Sequence, residues 1–258
     1  MQVIDVQPSQ GWLWIRDSWS YFKRAPMGWL SLIGAWVILT FGLLFIPYVG
    51  QLAANLLQPV FFAGFMIACR NQDNGAVPAI SDLFAAFRIP ASNVRALISV
   101  GAILLAGELL IFLLLDALGF PDITMSPDGT SIDFAAFAAA LEDKVWLLLL
   151  GVALTALLKG ALWFVPPLLA FNKMSASHAV RWSFYAFLAN FGAVTLYGVL
   201  IAVIYALALL PWGAGLFIAM PLMVISNYTG YKAMFKEDEP VASSPPTAPT
   251  PPTPPTPQ

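Results

Sequence analysis

The sequence predicts an all-α fold, a polytopic membrane bundle of six transmembrane helices. The 258-residue chain is 59% hydrophobic and only 10% charged, whereas a soluble domain carries about 25% charged residues. Its mean hydropathy is +0.78, and six stretches are apolar over the roughly 20 residues that a helix needs to cross the hydrocarbon core. This composition excludes a soluble fold, and the net charge of −2 excludes a basic surface for nucleic acid.

The six predicted spans form one membrane domain over residues 1–238. They are residues 29–49, 51–68, 96–115, 145–164, 191–210 and 212–231. The second span is the least regular, because Gln51, Asn55 and Gln58 precede Pro59. A re-entrant segment is therefore the alternative to a full crossing there.

The positions of lysine and arginine predict the orientation of the spans. Ten of the 12 basic residues fall in segments on one side, namely Arg16, Lys23, Arg24, Arg70, Arg88, Arg95, Lys173, Arg181, Lys232 and Lys236. Lys144 lies on the other side, in an acidic loop over residues 116–144, and Lys159 lies inside a span. Because cytoplasmic loops carry the excess of Lys and Arg, we expect both termini in the cytoplasm of a bacterial inner membrane.

Three cytoplasmic segments, each ahead of a pair of spans, are predicted to be amphipathic helices at the membrane surface. They cover residues 11–24, 80–88 and 178–185. In the first, apolar side chains recur at helical spacing and basic ones fall on the other face, as in helices that lie at the lipid headgroups. The predicted membrane-interface anchors are Trp12, Trp19, Phe22, Phe84 and Trp182.

The second span of each pair carries proline, at Pro59, Pro166–Pro167 and Pro221. Pro59 follows Trp19 by 40 residues, and Pro221 follows Trp182 by 39. These spacings favour three repeated hairpin units, each an interfacial helix followed by two spans. Chance recurrence is the alternative, because proline is frequent in membrane helices.

The C-terminal tail, residues 239–258, is rich in proline and threonine and is predicted to be a disordered cytoplasmic segment. Its threonines recur at every third position from Thr247, which is the period of a polyproline II helix. A low-complexity spacer and a docking peptide are both compatible with this pattern.

A candidate intramembrane polar site consists of Asn55, Gln58, Glu108 and Lys159. A charge within a span is costly and usually faces the bundle interior with a partner, so we expect Glu108 and Lys159 to pair there. Asn55 and Gln58 share a helix face beside the carbonyl that Pro59 leaves free. The site is either a structural link between helices or part of a path for a proton, an ion or a solute.

The sequence predicts no catalytic, cofactor-binding or metal site. Cys69 is the single cysteine and His178 the single histidine, and no phosphate loop, nucleophile elbow or metal-binding spacing is present. We therefore expect a protein that is not an enzyme and uses no cofactor.

Several of these segments resemble an uncharacterised family of proteobacterial six-span inner-membrane proteins, the YciC-like proteins. The similar segments are residues 11–26, 59–70, 82–88, 166–174 and 179–183, within a likeness that covers about residues 10–235. The resemblance implies a six-span bundle in the inner membrane and no particular activity, because the family has no established function.

Two functional hypotheses follow. The first is a non-catalytic membrane protein that organises lipids or partner proteins, with the bilayer, membrane-protein partners or further copies of itself as its contacts. The alternative is a permease for a small solute or lipid, with Asn55, Gln58, Glu108 and Lys159 along its polar path.

Overall fold

The computed structural model describes residues 2–122 and 133–236, which form helices and one two-stranded sheet. The α-helices are α1 (Gln10–Arg24), α2 (Pro26–Leu44), α3 (Val49–Asp73), α4 (Ala91–Ala117), α5 (Phe134–Leu141), α6 (Val145–Leu162), α7 (Val165–Phe171), α8 (Ala176–Ala189), α9 (Phe191–Leu209) and α10 (Leu216–Met234). Two 3-10 helices cover Ile80–Arg88 and Glu142–Lys144, and the strands are β1 (Gln2–Val3) and β2 (Phe235–Lys236). The predicted tail and the middle of the predicted outer loop lie outside the described residues.

Five helical stretches are long and apolar enough to cross a membrane. They are Pro26–Leu44, Val49–Asp73, Ala91–Ala117, Phe134–Phe171 and Phe191–Leu209, and they overlap the first five predicted spans. The sixth predicted span overlaps α10, which is not among these five. The second half of α10 is less apolar because it contains the buried polar residues Ser226, Asn227 and Thr229, so the sixth span stays a prediction.

The second segment predicted as an amphipathic helix, residues 80–88, is a 3-10 helix rather than an α-helix. Asp82 fixes its start by accepting a hydrogen bond from the Ala79 backbone N–H at 2.9 Å. The segment lies close against α3, where a Cβ at Gly64 would meet the Leu83 carbonyl oxygen at 2.6 Å. This close contact explains how the short segment is held flat across α3.

Buried side chains are concentrated at one end of the bundle, which we call the α1 end. In α2 they occupy the first half, at Trp29, Leu32 and Ile33, whereas in α3 they begin at Pro59 apart from Gly50 near the start of the helix. Neighbouring helices run in opposite directions, so these halves meet beside α1. The opposite end, which we call the loop end, exposes many large apolar side chains, including Phe45, Phe112 and Trp212.

Helix α6 runs towards the α1 end, is interrupted at Trp163 and Phe164, and continues as α7. Pro167 has no N–H to donate to the Trp163 carbonyl, and the Asn227 side-chain amide donates to that carbonyl instead, at 2.8 Å. The backbone N–H of Phe164 donates to the Ser183 hydroxyl oxygen at 3.1 Å. Side chains from α10 and α8 therefore satisfy both ends of the break, as a membrane environment requires.

The two ends of the described chain meet at the α1 end. Strands β1 and β2 pair antiparallel, with Gln2 opposite Lys236, and the Ile4 N–H donates to the Met234 carbonyl at 2.8 Å. The Asn190 side chain holds the following segment by accepting from the Val6 N–H at 2.7 Å and donating to the Ile4 carbonyl at 3.1 Å.

Candidate functional site

An ion pair between two predicted spans forms the centre of the candidate site. Lys159 Nζ of α6 lies 3.0 Å from Glu108 Oε1 of α4. Glu108 lies nine residues before the end of α4, and Lys159 lies fourteen residues after the start of α6. At 1.5 Å per residue these positions are about 14 Å and about 21 Å from the loop ends of their helices. The long side chains bridge this difference in depth near the middle of the bundle.

The pair lies on the flank of the bundle rather than in its interior, which corrects the prediction. The Glu108 side chain is 42% exposed and that of Lys159 is 53% exposed. The buried residues of α4 lie only between Asn93 and Gly101, so the part of α4 that contains Glu108 is little covered by other helices. Both charges consequently keep an exposed surface that their mutual contact does not cover.

A small cleft of about 80 Å³ adjoins the pair, lined by Gln58, Pro59, Leu104, Glu108, Lys159 and Trp163 among others. It lies where α3 contains Pro59 and where α6 breaks before α7. Three of the four predicted polar-site residues therefore meet here: Gln58, Glu108 and Lys159. Asn55 does not line the cleft; it is half-buried one turn away, where α3 packs on Gly101 of α4.

A larger apolar groove of about 480 Å³ begins at Lys159 and runs towards the loop end between α4 and α6. Its lining includes Leu115, Leu148, Val152, Thr155 and Ala156. Lys159 thus borders both cavities, and most of the side chains that line each of them are apolar.

A second polar cluster, which sequence reasoning missed, joins three helices at the α1 end. Tyr21 of α1 donates a short hydrogen bond to Asp73 Oδ1 of α3, and Tyr228 of α10 donates to Asp73 Oδ2 at 2.8 Å. Lys232 Nζ of α10 also lies 2.8 Å from Asp73 Oδ2. Burial, followed by the hydrogen bond to Asp73, raises the pKa of Tyr21 above its ordinary value of 10.0.

Only one feature of the sequence pointed to this Asp73 cluster, namely a carboxylate just after a predicted span on the side that carries most of the basic residues. Its partners were not predictable, because Tyr21 and Tyr228 lie 52 and 155 residues away in the chain. No periodic pattern connects residues at such separations.

The predicted interface anchors occupy different environments. Trp12 and Trp19 are 52% and 41% exposed, and Phe84 is 42% exposed. Trp182 is half-buried. Phe22 is buried and stacks on the ring of Trp19 at 5.6 Å between centroids, so it belongs to the protein core rather than to an exposed face.

Helix α1 has a buried face, which packs on α9 and α10. Trp14 and Ile15 are 3% and 4% exposed, and the Thr229 hydroxyl donates to the Trp14 carbonyl at 3.0 Å. A Cβ at Gly11 would collide with the Ala193 carbonyl oxygen of α9. Ile15 and Phe22 share the predicted apolar face with Trp12 and Trp19, yet both are buried, so this face packs in part against the protein, which periodicity alone does not reveal.

Comparison with known proteins extends these observations over the whole chain. A protein of Burkholderia thailandensis, named a probable inner membrane protein, is 26% identical over 274 residues, which cover 95% of this chain and 98% of that protein. The chain is similar to an inner membrane protein along nearly its full length. No protein-family model matches the chain, and no solved structure matches it. The relative's name and the five apolar helical stretches both support an integral membrane protein.

Proposed function

We propose that this protein is a non-catalytic integral protein of the bacterial inner membrane that organises lipids along its exposed helices. The observation that carries the proposal is the lack of burial within the spans. In four of the five candidate spans, only 17% of the residues in the apolar stretch of 18 are buried inside the protein. The remaining surface of these helices is available to acyl chains, and the ion pair lies within it.

The proposal includes six crossings with both termini in the cytoplasm. Antiparallel pairing of β1 with β2 puts both ends of the described chain at the α1 end, and a chain that starts and ends on one side crosses the membrane an even number of times. Five apolar stretches therefore need a sixth crossing, and α10 supplies it with 19 residues that run antiparallel to α9. The ten basic residues on one side support the cytoplasmic assignment.

Cysteine labelling in whole cells tests this topology. In a Cys69→Ala background, we expect a membrane-impermeant maleimide to label Asp128→Cys and to leave Ser244→Cys unlabelled until the membrane is permeabilised. Labelling of Ser244→Cys but not of Asp128→Cys in intact cells would contradict the orientation, and labelling of both positions would contradict the even number of crossings.

Lipid recovery tests the proposed function. The protein is extracted from its membrane in polymer-bounded nanodiscs, and the lipid classes in the discs are compared with those of the whole membrane. We expect at least one class to be enriched, because a lipid organiser holds some neighbours longer than others. Discs of a membrane protein of similar size serve as the control, and bulk composition in both sets of discs would contradict the proposal.

A permease is the second candidate, because Gln58, Glu108 and Lys159 share a cleft. The cleft of about 80 Å³ is smaller than the roughly 300–1,000 Å³ of small-molecule sites, and the packed α1 end lies between it and the cytoplasm in the proposed orientation. A permease that uses the pair predicts that Glu108→Gln combined with Lys159→Met folds normally and abolishes transport in cells. Partner proteins or further copies of this chain are additional contacts that the exposed helices would allow.

A further inference from the structure

We propose that this protein forms a two-fold symmetric dimer in the membrane, in which Glu108 and Lys159 of one copy contact Lys159 and Glu108 of a second copy. The surface that meets the second copy is the flank formed by α4 and α6, which carries both charges. This inference goes beyond the proposed function and does not depend on it, since α2 and α9 keep their surface towards lipid in such a dimer.

The exposure of the ion pair calls for a polar contact from outside the single chain. The side chains of Glu108 and Lys159 are 42% and 53% exposed near the middle of their spans, and a charge at this depth disfavours contact with hydrocarbon. Their mutual contact within the described chain joins Nζ and Oε1. An ammonium group has three donors and a carboxylate has two acceptor oxygens, so each side chain can take a further ionic partner.

A second copy of the chain supplies the matching charges at the matching depth. Every copy inserts with the same orientation, so a two-fold axis along the membrane normal places identical residues at the same depth. One positive and one negative charge on the same surface are self-complementary about such an axis, because Glu108 of each copy then faces Lys159 of the other. The centre of the dimer is a ring of four alternating charges. An unrelated protein would need an opposite pair of its own at this depth.

The side chains around Lys159 allow a second helix to approach closely. Val152, Ala156 and Lys159 follow each other at spacings of four and three residues, so they share one face of α6, and all three are exposed. Small residues such as Ala156 let helix backbones come together in membranes. The groove of about 480 Å³ between α4 and α6 borders the same three residues and has room for apolar side chains of the second copy. Helix α6 is therefore the central helix of the dimer.

Exchange of the charges between copies tests the inference. Two differently tagged forms of the full chain are expressed together, and one tag is used to recover the other from solubilised membranes. Glu108→Lys carries two positive charges at this surface and Lys159→Glu carries two negative charges. We expect each variant to pair with itself about tenfold less than the unmodified chain does, since like charges then face each other. Co-expression of Glu108→Lys with Lys159→Glu should recover most of the pairing, because the charges alternate again.

Cysteine cross-linking in native membranes tests the same surface with both charges intact. In a Cys69→Ala background, we expect a short bifunctional maleimide to link Ala156→Cys into dimers. Val203→Cys is the matched control, because Val203 is 51% exposed in the middle of α9, which packs mainly on α1 and α10. It should give no dimer. Equal cross-linking at the two positions, or none at Ala156→Cys, would overturn the inference.

The exchange experiment has its own contradicting outcomes. If Glu108→Lys and Lys159→Glu are both folded by circular dichroism and pair no better together than each does alone, the ring of charges does not exist. If Glu108→Gln combined with Lys159→Met dimerises as well as the unmodified chain, the contact between copies lies elsewhere. Asp17→Asn, which removes an exposed carboxylate of α1, should leave the dimer unchanged. If the charge-reversed variants do not fold, the cross-linking of Ala156→Cys decides.

Discussion

The α1 end and the flank of the bundle differ in what surrounds their ion pairs. Asp73 and Lys232 lie 2.8 Å apart at the α1 end, and Glu108 and Lys159 lie 3.0 Å apart on the flank. Asp73 also accepts hydrogen bonds from two tyrosines, and its side chain is 26% exposed. Within the described chain, the Glu108–Lys159 pair has no such additional donors and remains about half exposed.

This difference predicts a larger structural role for the Asp73 cluster than for the Glu108–Lys159 pair. The Asp73 cluster uses its hydrogen-bonding capacity within the protein and joins α1, α3 and α10. The Glu108–Lys159 pair keeps free capacity and lies among helices with little burial. Substitutions should therefore affect folding most at the α1 end and least at the loop end, and four measurements test this gradient by thermal unfolding in detergent micelles.

The largest effect is expected for Trp14→Ala, because this side chain is 3% exposed within the core at the α1 end. Removal of a buried tryptophan should lower the free energy of unfolding by about 3–5 kcal/mol. Trp212→Ala at the loop end is the matched control, because Trp212 is fully exposed. Similar losses at both positions would contradict the contrast between the two ends.

Asp73→Asn should lower the free energy of unfolding by about 2–3 kcal/mol, since Lys232 loses its counter-charge and both tyrosines lose a charged acceptor. The matched control is Asp17→Asn, because Asp17 is an exposed partner of Arg16, and such surface pairs contribute about 0–1 kcal/mol. If the two substitutions have equal effects, the Asp73 cluster does not hold the three helices together.

Glu108→Gln alone and Lys159→Met alone should each lower the free energy of unfolding by about 1–2 kcal/mol, because each leaves an uncompensated charge in a span. The double substitution should recover more than half of the larger loss. Additive losses would show that the two side chains do not interact in the membrane. No loss from either single change would indicate that each charge reaches a polar surface independently.

Tyr21→Phe should lower the free energy of unfolding by about 1 kcal/mol at neutral pH, the typical contribution of one hydrogen bond. Because the pKa of Tyr21 is raised in the folded state, its contribution is fully present below about pH 10 and is lost as the pH rises further. The unmodified protein should therefore lose more stability between pH 9 and about pH 11 than Tyr21→Phe does. Parallel pH curves would indicate that Tyr21 ionises as readily folded as unfolded.

Much of the helical architecture was predictable from local patterns. Apolar length alone located five helical stretches to within a few residues at most ends, because a helix that crosses lipid must be apolar along its length. The sixth predicted span overlaps α10 and stays a prediction, because the second half of α10 contains Ser226, Asn227 and Thr229 in contact with other helices. Polarity there reflects burial within protein, which hydropathy does not distinguish from exposure to water.

Three of the four residues of the predicted polar site line one cleft, whereas the surroundings of that cleft were not predictable. The cost of charge in a span singled out Glu108 and Lys159, and the structure pairs them directly. Their exposure depends on which faces of α4 and α6 the other helices cover, which no local pattern encodes. The Asp73 cluster was missed for a related reason, because it is assembled from residues that only the tertiary fold brings together.

The pairing of β1 with β2, together with the contact of α1 on α10, determines the order in which the chain can assemble. Helix α1 is synthesised first, yet its Trp14 carbonyl accepts a hydrogen bond from Thr229, 215 residues later. During translation α1 must therefore wait while the following helices enter the membrane. We expect its exposed Trp12 and Trp19 to attach it to the membrane surface in that interval. The bundle closes only when the last helix has been made, so a truncation before α10 would leave a protein that is inserted but not folded.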